Sequence, residues 1–234
     1  MTEHPTWLEH NREIVSCRAC PRLVEWREKV AREKRRAFRD HDYWGKPVIG
    51  FGDTKARLLL VGLAPGAHGS NRTGRMFTGD SSGETLFAAL FRAGFANLPS
   101  GRHVDDGLVL NDAFITSIVR CVPPKNRPTA AEVSTCRAFA ARELAMMPNI
   151  RIVLALGKLA FDQSSFLLTQ SGYSVPRVNF GHNVCHEVSA HDCSDSIYLM
   201  ASYHPSRQNT QTGRLTDEML DQVFSGVRSI LTSS

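Results

Sequence analysis

Four short apolar runs punctuate the chain: Arg57–Gly62 (RLLLVG), Ala113–Val119 (AFITSIV), Arg151–Leu156 (RIVLAL) and Ile197–Tyr203 (IYLMASY). Each is rich in Leu, Ile or Val and lacks polar alternation, the pattern of a strand buried on both faces. Between them the apolar period becomes helical. Gly83–Ala93 puts Leu86, Leu90 and Ala93 on one face. Thr129–Met147 opens with Thr129 and carries Glu132 one turn on, a capping-box pattern. Lys158–Leu168 follows the third run. Thr216–Ser229 follows the fourth, again with Thr at the expected cap. Strand alternating with helix predicts an α/β fold with a mainly parallel, four-stranded sheet covered on both faces. The segment Pro176–Ser196 has mixed polarity and reads as a hairpin or long loop. No repeat or low-complexity linker interrupts the pattern, so residues 1–234 read as one domain.

Composition changes this picture little. A hydrophobic fraction of 42% and a charged fraction of 22% describe an ordinary soluble globular protein. No apolar run is long enough to span a bilayer, and the N-terminus lacks a basic start followed by an apolar stretch. A cytoplasmic protein without a membrane partner is expected. The net charge of +5 is compatible with a polyanionic partner without requiring one. The charge concentrates in Arg27–Arg39 (REKVAREKRRAFR), with seven basic residues and two glutamates. On its own this stretch reads as a solvated helix face with pairs such as Glu28–Arg32.

In an open parallel sheet, ligands bind beyond the carboxyl ends of the strands. Three unusual segments follow strand ends here: Gly62–Asp80 (GLAPGAHGSNRTGRMFTGD), Arg120–Pro128 (RCVPPKNRP) and His204–Arg214 (HPSRQNTQTGR). They are rich in Gly, Pro, Asn and Arg, the residues of shaped loops, and topology brings them to one sheet edge. The first fits neither a phosphate-binding P-loop nor a dinucleotide fingerprint. Its glycines, among them Gly62 and Gly66, allow close backbone approach to a ligand. In the third, Arg207, Gln208 and Arg214 suit contacts to a nucleic-acid backbone or groove. The plainer alternative is a solvated loop ahead of the last helix.

Six cysteines in a cytoplasmic protein point to thiols or metal ligands. Cys17 and Cys20 form CRAC, Cys121 follows the second strand, and Cys136 lies on the next helix. Together they can make a four-thiolate site for zinc or for an iron–sulfur cluster. Cys185 and Cys193 are expected to be free thiols.

CRACPRLVEWRE, YWGKPVIGFGD, GLAPGAHGSNRTGRMFTGD, RCVPPKNRPTAAEVSTC and SYHPSRQNTQTGRLT occur in this order from Cys17 to Thr216. Together they resemble the family 5 uracil-DNA glycosylases. The resemblance implies a three-layer α/β/α fold. It also implies a structural 4Fe-4S cluster on Cys17, Cys20, Cys121 and Cys136, tying the N-terminal segment to the domain. Two positions differ from the related family 4 pattern: Leu63 replaces a glutamate, and Ser117 stands where an asparagine reads uracil. This loss fits a range of deaminated bases rather than uracil alone. The expected activity is hydrolysis of the N-glycosidic bond of uracil, hypoxanthine or xanthine in DNA, leaving an abasic site, by a monomer. The alternative is a non-catalytic or crosslinking uracil-DNA-binding protein of the same fold.

That chemistry suggests roles for individual residues. His204 would hydrogen-bond the departing base, and Asp80 would orient water or stabilise the sugar cation, unless it serves only as a helix cap. Asn126 would hold the base edge or the water, unless it only shapes a turn. Phe77 would stack on the flipped base, with core packing as the simpler role. Gly62, Ala64, Gly66, His68, Asn71 and Ser117 would line the base pocket, and Ser206, Arg207, Gln208 and Arg214 would grip the DNA.

Overall fold

A computed structural model describes residues 6–192 and 195–233; Cys193 lies outside the described residues. The four apolar runs form β2 (Leu58–Gly62), β3 (Ala113–Ser117), β4 (Ile152–Leu156) and β7 (Ser196–Ser202). They pair in parallel in the order β3-β2-β4-β7. Every residue of β2, β3 and β4 is buried. Helices cover both faces, which explains why these strands carry no polar alternation. Leu58 and Leu60 of β2 join a core with Leu86 and Leu90 of α4 (Ser81–Arg92) and Leu220 and Phe224 of α8 (Asp217–Ser233). Leu59 and Val61 face the opposite layer, with Ala140 of α5 (Ala130–Ala145) and Phe161 and Leu168 of α6 (Lys158–Gln170). The architecture is thus α/β/α.

The expected caps form. Thr129 and Glu132 complete a capping box on α5. Asp80 caps α4, and the Thr216 hydroxyl accepts from the Met219 N–H at the start of α8.

The sheet has seven strands rather than four. β1 (Phe51–Gly52) pairs antiparallel with β3 on one edge. On the other, β6 (Val184–Ala190) pairs antiparallel with β7, and β5 (Tyr173–Ser174) with β6. β1 and β5 are too short to leave a periodic signature, and β6 is buried along its length only at Val188. The expected hairpin in Pro176–Ser196 is the β6–β7 pair, preceded by irregular chain.

The N-terminal region adds α1 (Trp7–Ser16) and α2 (Pro21–Glu33) outside the strand–helix alternation. Trp7 packs on Phe114, with ring centroids 5.2 Å apart, and Glu13 pairs with Arg142 of α5. His10 and Glu143, both fully buried, lie 3.5 Å apart, and Glu143 also pairs with the buried Arg120. This segment is therefore fastened by its own packing. No described helix is long and apolar enough to cross a membrane.

Candidate active site

β2 lies between β3 and β4, the neighbours that the chain reaches by leaving in opposite directions, which opens a crevice at the strand ends. A cleft of about 700 Å³ occupies this edge. The three loops converge on it: Ala64, Gly66, His68, Phe77 and Asp80 from the first, Asn126 from the second, and His204, Ser206, Arg207 and Gln208 from the third. A fourth wall, Leu156–Ala160, was not singled out in the sequence. Its sequence signal is the glycine that directly follows the third apolar run; in the structure Gly157 takes a positive φ of 98°.

Phe77 has φ 52°, unusual for a bulky residue. The backbone bends there so that its ring lies against Gly62, where a Cβ would stand 3.3 Å from the ring. The other neighbour is His204, stacked at 5.8 Å with an interplanar angle of 29°. Phe77 lines the cleft, whereas Gly62 is buried, absent from the lining and reaches it only by backing the Phe77 ring.

Asp80 caps α4 and lines the cleft at once. Its Oδ1 accepts from the Gly83 N–H at 3.1 Å. Its Oδ2 lies against Gly66 and Gly69; a Cβ on Gly69 would come within 2.0 Å of it. Burial raises its carboxyl pKa above the ordinary value, against the pull of the Gly83 and Ser82 N–H groups. The carboxylate lines the cleft and is less well solvated than a surface group.

His204 follows β7. The Ser206 N–H (2.7 Å) and the Asn209 side-chain amide (2.9 Å) both donate to its carbonyl, which fixes the turn. Burial lowers its imidazole pKa to about 4, so the ring is neutral at pH 7. Ser206 also caps a short helix, α7 (Arg207–Gln211), within what the sequence presents as a loop. Arg207 and Gln208 are exposed at the rim. Arg214 lies outside the cleft lining, its guanidinium 4.7 Å from the Tyr203 ring centroid.

His68 is held by a residue the sequence reading did not single out: its Nδ1 lies 3.0 Å from the hydroxyl of Tyr43. Asn126 is exposed with φ 56°, so it shapes its turn and faces the cleft. Asn71 and Ser117 are buried and absent from the lining. Asn71 donates to the Arg27 carbonyl at 3.3 Å, tying the first loop to α2. The Ser117 hydroxyl donates to the Val119 carbonyl at 2.9 Å.

Cys17, Cys20, Cys121 and Cys136 line one small cavity behind this edge. Arg27 is buried there rather than solvated; it donates to Cys121 Sγ at 2.9 Å and to the Cys17 carbonyl at 3.2 Å. The Arg120 backbone N–H donates to Cys136 Sγ at 3.2 Å. Burial pushes the Cys136 thiol up to about 12. Among the described residues, no three His, Cys, Asp or Glu side chains converge as they would on a single ion.

Residues 49–228 match the family model of the uracil DNA glycosylase superfamily. The chain belongs to that superfamily. Among its relatives are proteins named type-5 uracil-DNA glycosylase. That of Mycobacterium tuberculosis is 52% identical over 92% of this chain and 78% of its own length. That of Mycobacterium leprae is 49% identical over 95% and 94%, and that of Thermus thermophilus 48% over 90% and 92%. The uracil-DNA glycosylase family model begins after Cys17 and Cys20, but the likeness to the M. leprae protein leaves too little of the chain uncovered to omit them.

Proposed function

We propose that this protein is a DNA repair glycosylase that hydrolyses the N-glycosidic bond of uracil, and also of hypoxanthine and xanthine, leaving an abasic site. The observation that carries this is the meeting of a half-buried carboxylate, Asp80, and a neutral imidazole, His204, in a cleft walled by an aromatic ring. Breaking the bond builds positive charge on the sugar and negative charge on the base. With the base extruded from the duplex, Phe77 stacks on it. His204 donates a hydrogen bond to the departing base without giving up its proton. Asp80, and Asn126 from the second loop of the same cleft, hold the water or face the sugar cation. Arg207 and Gln208 contact the DNA at the rim.

The four cysteines suit a 4Fe-4S cluster: they share one buried cavity, and N–H donors from Arg27 and Arg120 point at two of the sulfurs. When bound, the cluster supplies iron–thiolate bonds that fasten residues 17–20 to the region of the second loop.

Oligonucleotides carrying uracil, hypoxanthine or xanthine test the activity. Release of the free base from each is expected; binding or crosslinking without release would overturn the proposal.

Below neutrality, release should fall as Asp80 takes up a proton, with a midpoint above the ordinary carboxylate range. The sign follows from the need for the ionised carboxylate. His204 is already neutral at pH 6.5 and adds no limb there. Single-turnover pH profiles of the parent and of His204→Ala should show the same acid limb.

The exposed Arg35, Arg36 and Arg39 stand next to the cleft, because the Arg35 N–H donates to Tyr43, whose hydroxyl meets His68. Neutralising Lys34, Arg35 and Arg36 should lower the slope of log affinity against log salt by roughly two to three, leaving base preference unchanged. An unchanged slope would make this a merely solvated segment.

A further inference from the structure

We infer that His68 reads the extruded base as a hydrogen-bond donor of fixed tautomer, set by Tyr43 and aimed at a carbonyl oxygen that deamination creates. This rests on reading the cleft as a base pocket. The Tyr43 hydroxyl has one proton. It accepts from the Arg35 backbone N–H at 3.4 Å, and its other polar neighbour is His68 Nδ1 at 3.0 Å. Nδ1 is the acceptor this geometry offers to the hydroxyl proton, and with the hydroxyl donating there a neutral imidazole carries its own proton on Nε2, the tautomer this inference assigns. The ring is neutral because burial, Arg35 and Arg72 all lower its pKa. It is also held in place: Tyr43 packs edge-on at 6.1 Å and 81°, and Arg72 Nε donates to the His68 carbonyl at 2.7 Å. Nε2 has no hydrogen-bond partner among the described residues, while His68 lines the cleft.

A donor with no acceptor capacity discriminates by chemistry rather than shape. Deamination replaces an amino group by a carbonyl. Nε2–H matches the carbonyl and opposes the N–H of the amino group, leaving both unpaired. Uracil, hypoxanthine and xanthine share this feature although their ring systems differ in size. His68 is then a specificity-determining contact and Tyr43 a positioning residue, acting only through the tautomer.

The test combines substrate chemistry with spectroscopy on the intact, cluster-containing protein. Sulfur accepts hydrogen bonds poorly, so duplexes with 2-thiouracil or 4-thiouracil weaken one carbonyl at a time. For 4-thiouracil, altered at the carbonyl that deamination of cytosine creates, the uracil-to-thiouracil ratio of single-turnover rates should be about tenfold smaller in His68→Ala than in the parent, while the 2-thiouracil ratio should stay the same. His68→Gln, which keeps an N–H donor, should restore part of the 4-thiouracil ratio. Nitrogen NMR of the His68 ring should show the Nε2–H tautomer in the parent and a mixture in Tyr43→Phe, with a correspondingly reduced ratio. An unchanged 4-thiouracil ratio in His68→Ala, a change confined to 2-thiouracil, or an Nδ1–H tautomer in the parent would overturn the inference. If the parent releases no base at all, the glycosylase reading fails. The ring spectrum, and competition by free uracil against its thio analogues for binding, then decide this inference separately.

Discussion

Asp80→Asn should slow release of uracil and hypoxanthine by similar factors of about 10²–10³, while His204→Ala should change the ratio between the two bases. The reason lies in what each group faces. In the proposed mechanism Asp80 acts on the water or the sugar cation, a step common to every substrate. His204 there acts on the leaving base, and bases differ in how well they leave. Uracil spreads its negative charge over two carbonyls, whereas hypoxanthine can also be helped by protonation at its imidazole ring. The substitution to Asn is informative because the cap survives it: an amide oxygen can still accept from the Gly83 N–H where Oδ1 does now, at 3.1 Å. Asp80→Asn should therefore melt close to the parent, whereas Asp80→Ala should also lose about 1 kcal/mol of stability. Single-turnover kinetics on both duplexes, with DNA binding and melting measured in parallel, separate the two roles. Near-normal rates for Asp80→Asn would leave Asp80 as a cap and shift attention to Asn126 or His68. Equal effects of His204→Ala on both bases would remove its leaving-group role.

Cys17→Ser should lower the folding yield, abolish the brown colour and reduce the melting temperature by more than about 4 °C. For a domain of this size, 1 kcal/mol shifts the midpoint by about 2–4 °C, and losing one of four cluster ligands should cost more than that. Arg27→Leu should act in the same direction, since Arg27 is buried and donates both to Cys121 Sγ and to the Cys17 carbonyl. Neutralising the exposed Arg35 and Arg36 should not. The folded fraction of Cys17→Ser should keep α1 docked, because Trp7, Glu13 and His10 have contacts of their own. It should also retain most of its single-turnover rate, as the cysteine cavity and the cleft are lined by different residues. Zinc instead of iron in anaerobically purified protein would reject the cluster, and a rate falling in proportion to iron content would reject its purely structural role.

The sequence by itself determined the parallel centre of the sheet. Burial on both faces writes an uninterrupted apolar run into β2, β3 and β4, and Thr129, Asp80 and Thr216 mark helix starts through contacts within a single turn. It also determined that the three loops would meet, since strand order and chain direction place them at one edge. Only the tertiary structure decided the edge strands, because a two-residue strand has no period and the covered face of β6 is only half-buried, with Val188 its one buried residue. Only it separated Arg27 from its basic neighbours, since burial depends on what packs over a helix face. The same holds for the neutral His204 and the raised pKa of Asp80, which desolvation by distant segments sets. The Tyr43–His68 contact joins residues 25 positions apart with no shared pattern, and folding alone brings them together.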